Sequence, residues 1–152
     1  MAFRKKTRPV GAFTLVELLI VIAIIAILAS LVLAASSGVQ KKGARSRAEG
    51  EIAALGAALE SFKADNGDYP TNTLTNSSSC LVTNLMPTNG GKVYYEFKTK
   101  WVNNGNYLDP FGYSYNYIYT NGSPNNGTNN YDLWSTAGNI TDTNSQHWIK
   151  NW

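Results

Sequence analysis

Residues 5–33 read KKTRPVGAFTLVELLIVIAIIAILASLVL, and the fold follows from how this stretch is divided. Arg4, Lys5, Lys6 and Arg8 come first. An almost wholly apolar run, residues 13–35, follows, in which Thr14, Glu17 and Ser30 are the only polar side chains. As a helix such a run rises about 1.5 Å per residue, roughly 30 Å in all, the thickness of the hydrocarbon core of a bilayer. A secretory signal has a shorter apolar core followed by a small-residue cleavage site. Here AASSGVQKKGARSRAEGEI follows, so the segment is expected to stay in the membrane. The basic side is expected to remain cytoplasmic and the C-terminal bulk to lie outside it. Glu17 is the anomaly, because an acid within a bilayer costs on the order of 2.5–3.5 kcal/mol by insertion scales and requires a partner.

The charge balance belongs to the leader. The chain of 152 residues carries 13 Lys and Arg against 10 Asp and Glu, a formal +3. Removing residues 1–12 takes away four cations and no acid, leaving nine against ten. A body of that balance gives little reason to expect nucleic acid as a partner. The single cysteine, Cys80, cannot close a disulfide within the chain.

Four zones follow: a basic leader over 1–12, a membrane half of a helix over 13–35, an amphipathic half over 36–65, and a globular part over 66–152. In the third zone Ile52, Leu55, Leu59 and Phe62 recur at spacings of three and four and share one helix face. Glu49, Glu51, Glu60 and Lys63 are expected to point elsewhere. Gly38, Gly43 and the Ser36-Ser37 pair make the middle the weak point. Asn66-Gly67 and Pro70 end the helix. Beyond it, residues 71–91 read as a polar loop with a small apolar insert. Residues 92–98 (KVYYEFK), 113–120 (YSYNYIYT) and 131–136 (YDLWST) read as short strands, with Tyr113, Tyr115, Tyr117 and Tyr119 on one face. The expected fold class is α+β: one long N-terminal helix packed against a small antiparallel sheet.

The segment GAFTLVELLIVIAIIAILASL resembles the processing signal of type IV pilins and type II secretion pseudopilins over about residues 8–35. The resemblance implies that a membrane peptidase, the prepilin peptidase, removes the leader before a Phe and methylates the new amine. It also implies a Glu at the fifth mature position. Phe13 and Glu17 fit a cut between Ala12 and Phe13; a cut after Gly11 would move the acid to the sixth position. The family usually has Gly before the cut, where this chain has Ala12, and many relatives have a proline where it has Ala34. The resemblance further implies that the methylated Phe13 amine of one subunit pairs with Glu17 of a neighbour in a helical filament. Identical subunits, minor pseudopilins and an inner-membrane assembly platform would be the partners. The bland alternative is that Glu17 snorkels to water and has no role.

ALESFKADNGDYPT, YLDPFGYSYNY and YDLWSTAG resemble segments of the major pseudopilin of type II secretion systems. That implies a single-pass inner-membrane protein with a periplasmic C-terminal part, a mechanical rather than enzymatic role, and a filament that promotes protein export. A type IV pilus subunit for adhesion, motility or DNA uptake is the near alternative. A membrane-anchored binding domain that never polymerises is the distant one. The same resemblance implies calcium in the loop STAGNITDTNSQHW, where Asn139 and Asp142 are the candidate ligands. Calcium takes six to eight oxygens, preferably including carboxylates, and this loop has one, so a polar loop tied by its own hydrogen bonds stands beside that reading. His147 is the only histidine, which excludes a two-histidine metal site. Cys80 with His147 as a nucleophile pair, the tyrosine row as a stacking platform, and residues 126–128 (Asn-Gly-Thr) as a glycan acceptor are weaker readings.

Overall fold

The protein was analysed as a computed structural model that describes residues 13–72, 77–119, 125–127, 129–141 and 145–152, without the side chains of 34–37. The leader, with Gly11 and Ala12, and Asp142 lie outside these residues. With no proline to interrupt it, helix α1 runs Leu15–Asn66 and continues through Gly38 and Gly43. It ends where expected: Gly67 takes a left-handed φ of 87° and its amide donates to the Lys63 carbonyl at 2.8 Å. The chain divides into two units, residues 1–40 and 41–152.

In the first unit every large apolar side chain from Phe13 to Leu33 is exposed, from 47% at Val21 to 83% at Phe13. Over this stretch the helix is long and apolar enough to cross a membrane, and none of its large apolar side chains is buried among the described residues.

In the second unit α1 lays one face against a small β structure. Ala48, Ile52, Leu55, Ala58 and Leu59 are buried there together with Tyr69, Leu81, Leu85, Phe97, Tyr107, Tyr115, Tyr117, Tyr131, Leu133 and Ile149. The β structure is a hairpin, β1 (Val102–Asn103) with β2 (Asn106–Tyr107), and an antiparallel sheet in the order β3 (Asn116–Ile118), β4 (Asp132–Ser135), β5 (Ile149–Lys150). Tyr117 pairs with Leu133, and Ser135 with Ile149.

Several expectations are corrected. Residues 92–98 form no strand, because their polar groups turn to α1 and to a short helix α2 (Ser79–Leu85). The Tyr94 and Tyr95 amides both donate to the Leu85 carbonyl, Lys92 pairs with Asp65, and Tyr94 packs edge-on against Phe62. Helix α2 itself occupies the stretch expected to be loop, with Leu81 and Leu85 in the core. The strands expected over 113–120 and 131–136 shorten to β3 and β4, and β1, β2 and β5 were not anticipated. Only Tyr115 and Tyr117 of the tyrosine row are fully buried; Tyr113 remains 38% exposed.

The helix carboxylates are also placed differently. Glu51 accepts the Tyr115 hydroxyl at 2.8 Å, Glu60 accepts that of Tyr69 at 2.7 Å, and the Lys63 ammonium lies 4.2 Å from the Tyr69 ring centre. Buried tyrosines need a partner for the hydroxyl, and α1 supplies it. Burial, and then the Glu51 bond, raise the Tyr115 phenol well above its ordinary range.

At Gly56 α1 passes close to Tyr131, since a Cβ there would stand 3.0 Å from the Tyr131 hydroxyl, whereas one at the exposed Gly50 meets nothing within 4 Å. Gly50→Ala is expected to stabilise by about 1 kcal/mol through helix propensity. Gly56→Val is expected to destabilise by about 1–3 kcal/mol through overpacking. Thermal unfolding of the full chain in detergent micelles, followed by near-ultraviolet dichroism, checks both; equal shifts of the same sign would contradict the packing.

Candidate functional site

The N-terminal turn of α1 holds the acid. Thr14 is its N-cap: the Thr14 amide and hydroxyl both donate to Glu17 Oε2, at 2.9 and 2.8 Å, and the Glu17 amide donates back to Thr14 Oγ1 at 3.2 Å. This reciprocal arrangement is a capping box, which satisfies two of the amides a helix start leaves open. The carboxylate is thereby fixed in direction, and Oε1 accepts no hydrogen bond among the described residues. Thr14 was not singled out from the sequence, although the Thr-x-x-Glu spacing of Thr14-Leu15-Val16-Glu17 was there to read. Phe13, 83% exposed, directly precedes this turn. Gly11 and Ala12, where the sequence leads one to expect cleavage, lie outside the described residues.

In the globular unit two quoted segments turn out to be one structure. Asp109 is fully buried; its Oδ1 accepts the amides of Phe111 and Tyr113, each at 2.9 Å, and its Oδ2 accepts the Ser135 hydroxyl. Ser135 Oγ in turn accepts the Ala137 amide at 3.0 Å. The Asp-Pro-aromatic-Gly turn is thus bolted to the end of β4. Asp132, also fully buried, accepts the amides of Asn125 and Asn126 and the Asn125 side-chain amide. Both acids hold loops in place and have no oxygen turned to a ligand site.

The loop after β4 starts with a tight turn: Ala137 and Gly138 take φ of 53° and 84°, and the Asn139 amide donates to the Thr136 carbonyl at 3.0 Å. Asn139 lies on the wall of a cleft of about 450 Å³, together with Phe111, Tyr113, His147 and three cations, Lys41, Lys42 and Arg45. Of the two calcium candidates only Asn139 falls among the described residues; Asp142 lies outside them. A divalent cation would face three positive side chains, and no described carboxylate lines the cleft. Cys80 sits on α2, and burial pushes its thiol up to about 11, the opposite of what a nucleophile requires.

Asp109→Ala is expected to lower unfolding free energy by about 3–5 kcal/mol, since it strands two amides and a hydroxyl in the core. Ser135→Ala removes one donor and should cost about 1–3 kcal/mol. Urea titration of the full chain in micelles measures both. Millimolar calcium should move the melting temperature of the parent only slightly. A large upward shift would mean that ligands outside the cleft walls assemble a site.

Comparison with known proteins places these features. Residues 36–152 match the family described as "Type II secretion system (T2SS), protein G", and residues 8–33 match the "Prokaryotic N-terminal methylation motif". The type II secretion system core protein G of Vibrio cholerae is 38% identical over 112 residues, which cover 70% of this chain and 75% of that protein. That of Pseudomonas aeruginosa is 32% identical over 115 residues, covering 73% and 75%. The Escherichia coli protein of the same name is 46% identical over 59 residues, covering 39% of this chain and 41% of its own length. A family match over most of the chain, together with relatives this similar along most of their length, shows that the chain belongs to the type II secretion system protein G family.

Proposed function

We propose that this protein is the structural subunit of a type II secretion pseudopilus. It waits in the inner membrane as a single-pass protein with residues 41–152 on the periplasmic side, and polymerises into a filament that promotes protein export. Family membership supports the class of function. The single observation that carries the mechanism is the capped Glu17, which stands at the start of a stretch, residues 15–33, whose large apolar side chains are all exposed.

Thr14 holds one carboxylate oxygen from within the chain, and the other accepts no hydrogen bond among the described residues. A subunit in lipid therefore keeps its acid half satisfied, which lowers the penalty of waiting there. Cleavage between Ala12 and Phe13 by the prepilin peptidase would create an amine at Phe13, methylated in turn. That amine can complete the coordination of a neighbour's Glu17 through a charge-assisted bond. Each subunit would give one amine and offer one oxygen, a head-to-tail relation that extends without closing. The apolar surfaces of 15–33 would cover one another as subunits leave the bilayer.

Glu17→Ala should insert and be processed as the parent is, yet fail to enter filaments. Glu17→Gln, which keeps shape and loses charge, should give a partial defect. Filament yield at equal amounts of processed subunit, with mass spectrometry to locate the mature N-terminus, tests the reading. Parental yield from Glu17→Ala, or filaments built of subunits that still begin at Met1 or Ala2, would defeat it.

A further inference from the structure

Neither the pairing at Glu17 nor the bolt at Asp109 uses the basic cleft of the globular unit. Lys41, Lys42 and Arg45 are all exposed and line it together. Arg45 is partly occupied, 3.3 Å from Glu49 and donating to the His147 carbonyl at 3.2 Å, while Lys41 and Lys42 have no ion-pair partner among the described residues. Three cations on one concave wall select for an anion.

Two more features say which kind. Tyr113, 38% exposed, lines this cleft and the neighbouring one, where Ile140, 66% exposed, also stands. Cations beside an exposed tyrosine and an exposed aliphatic side chain make the composition of a surface that meets a bilayer interface, not of a pocket for a free ion. The second feature is reach. Only residues 34–40 separate Leu33, the last large apolar side chain of the exposed run, from Lys41. However the two units sit, seven residues span at most about 25 Å. The cleft therefore stays close to the surface from which the chain emerges.

We propose that this cleft docks on the phosphodiester headgroups of anionic phospholipids, with Lys41, Lys42 and Arg45 donating to phosphate oxygens and Tyr113 and Ile140 entering the interface. The proposal rests on the reading of residues 15–33 as a span, and it holds for whichever leaflet the globular unit faces. Its consequence is a globular unit held against the membrane until assembly lifts it away.

The test places the full chain in nanodiscs of phosphatidylcholine alone, or of equal parts phosphatidylcholine and phosphatidylglycerol, and follows amide hydrogen exchange over 41–45 and 136–141. Phosphatidylglycerol should slow exchange there by about tenfold or more, because an anionic surface attracts juxtamembrane cations. The effect should vanish at high salt in the parent, and at low salt in the triple variant Lys41→Gln, Lys42→Gln, Arg45→Gln. No dependence on phosphatidylglycerol in a disc-embedded chain overturns the proposal, as does protection that survives in the triple variant. Protection in phosphatidylcholine discs on adding inorganic phosphate would assign the cleft to a free anion instead. Protection that rises with chains per disc in phosphatidylcholine alone would assign it to a second copy. A chain that does not co-elute with discs overturns the spanning reading, and this proposal with it.

Discussion

A β structure whose strands run only two to four residues cannot hold itself together, and α1 is what makes it possible. The dependence is specific. The apolar face Ala48, Ile52, Leu55, Ala58 and Leu59 supplies buried area, while Glu51 and Glu60 on its flanks receive the hydroxyls of Tyr115 and Tyr69. Tyrosine is thereby usable as a core residue: its ring fills space and its one polar atom finds a carboxylate at the helix edge. Edge-to-face contacts then link the rings, Tyr69 to Tyr131 at 4.9 Å and Phe97 to Tyr107 at 4.9 Å between centres. Remove the helix and the rings lose both cover and hydrogen-bond partners at once.

What was legible in the sequence was what depends on near neighbours. The face of α1 could be read because a period of 3.6 with interspersed alanines has few other meanings, and its end because Gly67 must take a left-handed φ. The inward Tyr117 of β3 obeyed the period of two, whereas β4 is buried along its whole length. Residues 92–98 have strand composition but spend their polar groups on Asp65 of α1 and the Leu85 carbonyl at the end of α2, which the alternation of the segment itself does not reveal. The hairpin β1–β2 carried its own signal, Asn104-Gly105 with φ of 48° and 77°, flanked by strands too short to show alternation. The Asp109–Ser135 bond joins residues 26 apart, so each motif could be recognised and their connection could not. The reading of Glu17 stood on its place in an apolar run; that Thr14 shares its charge required the geometry of a helix start.

The two units divide the polar work between them. In the first, a single carboxylate is left half coordinated, which makes the chain incomplete by one contact. In the second, Asp109 and Asp132 are saturated and buried, so their loops are settled before any partner arrives. A subunit of a polymer benefits from that split. Its globular part is closed by its own hydrogen bonds, while the first unit keeps one carboxylate oxygen without a hydrogen bond among the described residues.

The position of β5 has a bearing on how the chain is made. Ile149 belongs to the core that α1 opens at Ala48, the Asn151 side chain caps the Leu133 and Tyr131 backbone of β4, and Arg45 reaches the His147 carbonyl across 102 residues of sequence. Closing the globular unit therefore waits for residues synthesised more than a hundred positions after the apolar run ends at Leu33. Contacts of such long sequence separation form slowly. The apolar helix leaves the ribosome first and can enter the bilayer while everything behind it is still an open chain. Placing the closing strand so late leaves the globular unit open until nearly all of residues 41–152 have been made.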